Sequence, residues 1–214
     1  MKRLLIACAS LLALSVLLVP ALAADQPPPQ SSSPQATSKL PRVRVRTTMG
    51  SFVIELNAER APLSVANFLE YVRAGHYTGT IFHRVVSNFV AQGGGYDAQY
   101  AEKPTRPPTA NESGNGLSNL RGTVGMARAA NPHSSTAQFY VNLADNPSLD
   151  PQATRWGYAV FGRVVEGMPV IDDIGNVATG AAGPLKEYVP VKPIVIQSVE
   201  VLDDTAAAPK PAKP

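Results

Sequence analysis

With 214 residues, 44% of them hydrophobic and 16% charged, the chain is long enough to bury one core and too apolar for a disordered polyelectrolyte. Its formal charge of +3 comes without a basic stripe or interleaved basic and aromatic residues, so nothing supports nucleic-acid binding. The single cysteine, Cys8, lies at the extreme N-terminus, which excludes a disulfide framework for the rest of the chain.

The first element is a leader. Lys2 and Arg3, an apolar run over 4–19, Pro20 and Ala21-Leu22-Ala23 read as a secretory signal cleaved after Ala23. The run is short for a bilayer and no basic stop-transfer cluster follows, so no membrane association is expected after signal removal. Cys8 comes too early in the apolar run for a lipoprotein processing site. Removing Lys2 and Arg3 leaves 17 basic against 16 acidic residues, a net charge of +1. Residues 24–40, rich in Pro, Ser and Gln, read as a disordered linker, and 203–214 as a disordered tail of the same kind. Between them one domain is expected over 41–202, in a monomer exported to the bacterial periplasm.

Within that domain, 43–47 and 52–56 alternate apolar and polar residues around Met49-Gly50 and predict a hairpin. Pro62 opens a helix, with Val65, Leu69 and Val72 at helical spacing, Phe68 beside them and Gly75 as its stop. Next come two strands, 81–86 and 89–92, split by the polar turn Ser87-Asn88. Strict alternation places Phe82, Arg84 and Val86 on one face and His83 and Val85 on the other. Arg84 then projects from an apolar surface, either snorkelling or pairing with a carboxylate, or kept as a hydrogen-bond donor for an apolar ligand.

The segment 96–120, with Pro104, Pro107 and Pro108, reads as a long surface loop of the kind that borders sites. Strands follow at 122–128, 138–142 and 158–164, then a short helix over 167–174 with Pro169 in its first turn, and a last strand at 193–202. Many short strands with two short helices predict a mainly β fold, a single closed antiparallel β-barrel capped by two α-helices, since closure removes exposed edges. Gly93-Gly94-Gly95 is not a phosphate loop, because no Lys-Ser/Thr and helix follow it. His76, His83 and His133 lack ligand spacing, so neither a metal nor another cofactor is expected. Ser134, His83 and Asp150 could form a hydrolase triad on paper, but there is no Gly-x-Ser-x-Gly elbow.

Phe82-His83-Arg84-Val85-Val86, Phe89-Val90 and Gln92-Gly93-Gly94 together resemble the cyclophilin family of peptidyl-prolyl isomerases. The blocks that begin at Arg121, Ala137, Leu149 and Tyr158 continue the resemblance in family order, over 42–202. The resemblance implies an eight-stranded barrel, an isomerase acting on X–Pro bonds of unfolded or partly folded exported polypeptides, and no cofactor. It implies Arg84 as the catalytic group and a proline pocket of Phe89, Val90, Tyr140 and Leu149. Phe82, His83, Gln92, Gln138, Tyr158 and the main chain around Ala127, Arg128 and Ala129 complete the substrate-binding set. Gln138 and Tyr140 share a strand face, which leaves Phe139 for the core. Val90 stands where the family usually has methionine and Tyr140 where it has phenylalanine. Ser148 and Tyr158 stand where many eukaryotic members carry tryptophan and histidine, which fits the bacterial exported branch and implies weak cyclosporin binding. The alternative function is a non-catalytic proline-peptide holdase.

Overall fold

β-Branched alternation builds the first hairpin. In β1 (Arg42–Thr47) Val43, Val45 and Thr47 are buried while Arg42, Arg44 and Arg46 face outward, and β2 (Gly50–Leu56) pairs with it from Thr47–Gly50 to Arg42–Glu55. The computed structural model describes residues 40–202, so the expected signal, all of the linker but Leu40, and the tail lie outside the described residues.

Helix α1 (Pro62–Arg73) begins without a capping side chain of its own at Ala61. The long loop supplies one instead: the Glu112 carboxylate accepts the backbone N–H groups of Leu63 and Ser64, at 3.0 and 2.7 Å, and the Ser64 hydroxyl. A carboxylate there satisfies orphan donors and complements the positive end of the helix dipole. Phe68 on the buried face puts its ring 5.1–5.6 Å from those of Tyr77, Phe139 and Phe161. Asn111, in the same loop, donates its amide to the Pro132 and Gly157 carbonyls and so ties the loop to both segments.

The remaining elements are β3 (Thr80–Val86), β4 (Val90–Asp97), β5 (Thr123–Met126), β6 (Phe139–Asn142), a 3-10 turn (Pro147–Leu149), β7 (Val160–Glu166), α2 (Met168–Gly175), β8 (Thr179–Ala182), β9 (Leu185–Pro190) and β10 (Ile196–Val201). Eight strands form one antiparallel sheet in the order β10-β1-β2-β7-β5-β6-β4-β3. Its two edges meet where Ile81 bridges Val195 and the Phe82 N–H donates to the Ile194 carbonyl, giving a nearly closed barrel. The eight expected strands are the barrel strands, with ends shifted by a few residues. β8 and β9 form a separate hairpin that the sequence reading lacks, because their residues show no clean alternation. Both helices contribute to one core, α1 with Val65, Phe68 and Leu69 and α2 with Ile171 and Ile174.

One expectation fails inside β3. Phe82 pairs with Gly93 and Arg84 with Gln92, so two steps along β3 match one along β4. This bulge at His83 breaks the alternation that would put Phe82 and Arg84 on one face. Phe82 and Val85 both enter the core, while the half-buried Arg84 is turned outward.

Candidate active site

β4 and β6 each serve two surfaces. Ala91, Phe139 and Val141 face the barrel core, whereas Val90 and Tyr140 join Ala127 in a second apolar cluster on the outer wall. Phe89, Leu149 and Tyr158 pack against that cluster and stay partly exposed. The result is a cavity of about 270 Å³ lined by Arg84, Phe89, Val90, Gln92, Ala127, Arg128, Tyr140, Leu149 and Tyr158. A roomier hollow of about 340 Å³ beside Glu55 holds Arg163, but that guanidinium is bound to Glu55 at 2.8 Å. Of the two, only the smaller has a cation without a carboxylate partner.

Arg84 owes its place to the bulge and to the turn that follows, in which Asn88 adopts φ 56 and the Phe89 N–H donates to the Val86 carbonyl. Among the described residues no carboxylate lies within ion-pair distance of it. Its one side-chain hydrogen bond among the described residues is long, Nη1 to Gln92 Oε1 at 3.4 Å, and its Cζ stands 5.9 Å from the ring centres of both Phe89 and Tyr188. Such a guanidinium keeps donors free for an incoming acceptor.

The wall opposite is held from beneath by amides. Tyr140, almost wholly buried, donates its hydroxyl to Asn119 Oδ1 at 2.6 Å, and burial pushes its pKa up. Asn119 gives its backbone N–H and its side-chain amide to Asp150 Oδ1, at 2.7 and 2.8 Å. Asn146 ties the Phe89 carbonyl at 2.9 Å to Asn142 Oδ1 at 2.7 Å. The three asparagines thereby fix the Phe89 turn, β6 and the 3-10 turn that carries Leu149. Sequence reading missed them; the signal available was the buried hydroxyl of Tyr140 in a phenylalanine's place, which demands a partner.

Gln92 donates to Gln138 Oε1 at 2.9 Å, which makes a chain from Arg84 through Gln92 to Gln138. Gln92, Ala127 and Arg128 also border an adjoining hollow of about 310 Å³, together with Ala129, Gln138 and Glu102. The N–H groups of Ala127 and Ala129 are already donated, to the Gln138 carbonyl and to Ser134 Oγ. Arg128 lies 4.4 Å over the Tyr158 ring and donates to the Trp156, Gly157 and Ala129 carbonyls. Thus Arg84, Phe89, Val90, Gln92, Ala127, Arg128, Tyr140, Leu149 and Tyr158 meet in one cavity, with Gln138 and Ala129 next door. Phe82 does not join them: it is fully buried against Phe52 and Phe139, because the bulge turns it inward.

His83 is buried edge-on to Tyr96 with ring centres 4.7 Å apart, and its Nδ1 has no protein hydrogen-bond partner. Burial pushes its pKa down to about 4, only partly offset by the nearby Ile81 backbone and Gln138 amide. It is therefore neutral at neutral pH. Ser148 is exposed on the 3-10 turn, and Trp156 lies against His133 instead of the cavity. Among the described residues no three His, Cys, Asp or Glu side chains come together as a metal-holding group.

Fold and site together define a class: an eight-stranded antiparallel barrel with a small apolar slot on its outer wall and an unpaired guanidinium at the rim. Over residues 42–201 the chain matches the family described as cyclophilin type peptidyl-prolyl cis-trans isomerase/CLD. It is 49% identical over 160 residues to peptidyl-prolyl cis-trans isomerase A of Dickeya dadantii, covering 75% of this chain and 84% of that one. To peptidyl-prolyl cis-trans isomerase cyp18 of Streptomyces antibioticus it is 50% identical over 163 residues, covering 75% and 98%. The crystal structure of cyclophilin AquaCyp293 from Hirschia baltica superposes with a TM-score of 0.62 at 25% identity, covering 79% of this chain and 76% of that one. The chain belongs to the cyclophilin-type peptidyl-prolyl cis–trans isomerases and is an enzyme of that class.

Proposed function

We propose that the enzyme accelerates X–Pro isomerisation in unfolded or partly folded exported polypeptides, with Arg84 as its catalytic residue. Rotation about the bond breaks no covalent link; the obstacle is amide resonance, a barrier of about 18–20 kcal/mol. Phe89, Val90, Tyr140 and Leu149 offer the proline ring a dry slot. The Arg84 guanidinium donates to the imide nitrogen as its lone pair leaves the carbonyl, an interaction stronger in the twisted state than in either planar one. The Gln92–Gln138 pair stands where it can hold the peptide backbone. The observation that carries the reading is an arginine at the slot's rim with no carboxylate and one 3.4 Å hydrogen bond.

Arg84→Ala should lower kcat/KM more than tenfold, about 1.4 kcal/mol of barrier, while proline peptides still bind. Arg84→Lys should restore only part of the rate, because an ammonium cannot reproduce the planar fork. Phe89→Ala, the control, should weaken binding as well as rate. A loss within about threefold for Arg84→Ala, roughly 0.6 kcal/mol, would leave desolvation alone to carry the catalysis and bring the holdase reading forward. No group titrates in this mechanism and His83 is neutral above a pKa of about 4, so the rate should stay nearly flat from pH 6 to 8. Export rests on the leader-like pattern of residues 1–23. Cell fractionation checks it: a soluble periplasmic form beginning at Ala24 is expected, and an acylated form beginning at Cys8 would overturn it.

A further inference from the structure

We propose that Tyr188 is a positioning residue for Arg84, a reading that rests on Arg84 being the catalytic donor. Three observations converge on it. The Tyr188 ring centre lies 5.9 Å from Arg84 Cζ, a cation–π distance equal to that of Phe89, yet Tyr188 sits 104 positions further along the chain on a different element. Its backbone is left-handed, with φ 61, a conformation that a bulky residue adopts only when its surroundings impose it. And it sits where the β8–β9 register is irregular: Gly180 pairs with Val189 and Ala182 with Leu185, so Lys186, Glu187 and Tyr188 bulge out opposite Ala181. Bulges beside active sites re-aim side chains, and this one turns a ring toward the arginine of the neighbouring β3.

The need for such a ring follows from what else holds Arg84. One 3.4 Å hydrogen bond and no ion pair leave a flexible side chain poorly fixed, and rigid donors act better on a transition state than mobile ones. A carboxylate would fix the guanidinium too, but it would occupy the N–H groups that the imide nitrogen needs. An aromatic face attracts the cation without accepting any of its in-plane hydrogens. Tyr188 is 40% exposed and its hydroxyl makes no hydrogen bond among the described residues, so neither burial nor a polar bond explains why a tyrosine bears this backbone strain.

The test uses the full chain and a variant that keeps the backbone. Asparagine tolerates the left-handed region, so Tyr188→Asn removes the ring without adding strain. Expected is a fall in kcat/KM of about threefold to tenfold, or about 0.6–1.4 kcal/mol at 1.36 kcal/mol per tenfold. The Kd for a proline peptide and the Tm should be unchanged, and Tyr188→Phe should restore the rate to within about twofold. In the Arg84→Ala background Tyr188→Asn should change the rate by less than about 1.5-fold, because a residue acting through another cannot act without it. Equal losses in both backgrounds, a weaker Kd with turnover intact, or no loss from Tyr188→Asn would each overturn the proposal. If Arg84→Ala itself leaves turnover intact, it is the donor reading that has failed, and the single variants tell the two failures apart.

Discussion

Two apolar clusters share strands β4 and β6 and differ in what holds them. In the core, rings hold rings: Phe68, Tyr77, Phe82 and Phe139 pack with centres 5.1–6.0 Å apart and are sealed from water. In the slot, Phe89, Leu149 and Tyr158 stay partly exposed, and the wall stands on Asn119, Asn142, Asn146 and Asp150 behind it. An apolar surface that must stay open to a ligand cannot be fixed by packing from the ligand's side. Directional hydrogen bonds from beneath do the fixing, and they leave the surface empty.

Three experiments would break or sharpen this contrast. Phe139→Ala removes a ring that touches three others and should destabilise the fold by about 3–5 kcal/mol in denaturant unfolding. A loss below about 1 kcal/mol would mean that the core is no better packed than the slot. His83 tests the boundary between the two regions. Unfolded, it titrates near the ordinary imidazole value of 6.5, and folded near 4, so as the pH falls the unfolded state binds the proton first. Stability should be full above about pH 6.5 and decline by up to about 3 kcal/mol by pH 4, with His83→Gln flattening that slope. An unchanged slope in His83→Gln would place the responsible group elsewhere. The smallest effect belongs to Tyr140→Phe, which removes one hydrogen bond while Asn119 Oδ1 keeps the Asn142 amide at 3.2 Å. It should cost about 1 kcal/mol of stability and leave peptide affinity unchanged; a large affinity loss would show that the hydroxyl serves the ligand.

Much of this was legible in the chain. The eight barrel strands, both helices, and the split of Gln138 and Tyr140 from Phe139 follow from period-2 and period-3.6 patterns, which are local. The meeting of Arg84 with Phe89, Val90, Tyr140 and Leu149 was legible through the resemblance of ordered motifs. The face of Phe82 was not, because a bulge is decided by the partner strand: Gly93 and Gln92 set the register that β3 must follow. Nor were the asparagines, whose side chains find partners 4 to 57 positions away.

The sequence by itself determined the barrel strands, both helices, the family and the chemistry on offer, because side-chain period and residue type act over a few neighbours. Only the tertiary structure decided the fine fit. Gly125 looks like a weak point in β5 until Tyr140 crosses it: a Cβ there would stand 2.3 Å from the phenol oxygen. Gly95 likewise leaves room for the Gln138 side chain, whose nearest atom would be 2.5 Å from a Cβ. Tyr188 reaches Arg84 through a hairpin with no legible alternation. In each case the constraint is an atom brought close by the closing of the barrel, and the space it occupies belongs to no local stretch of chain.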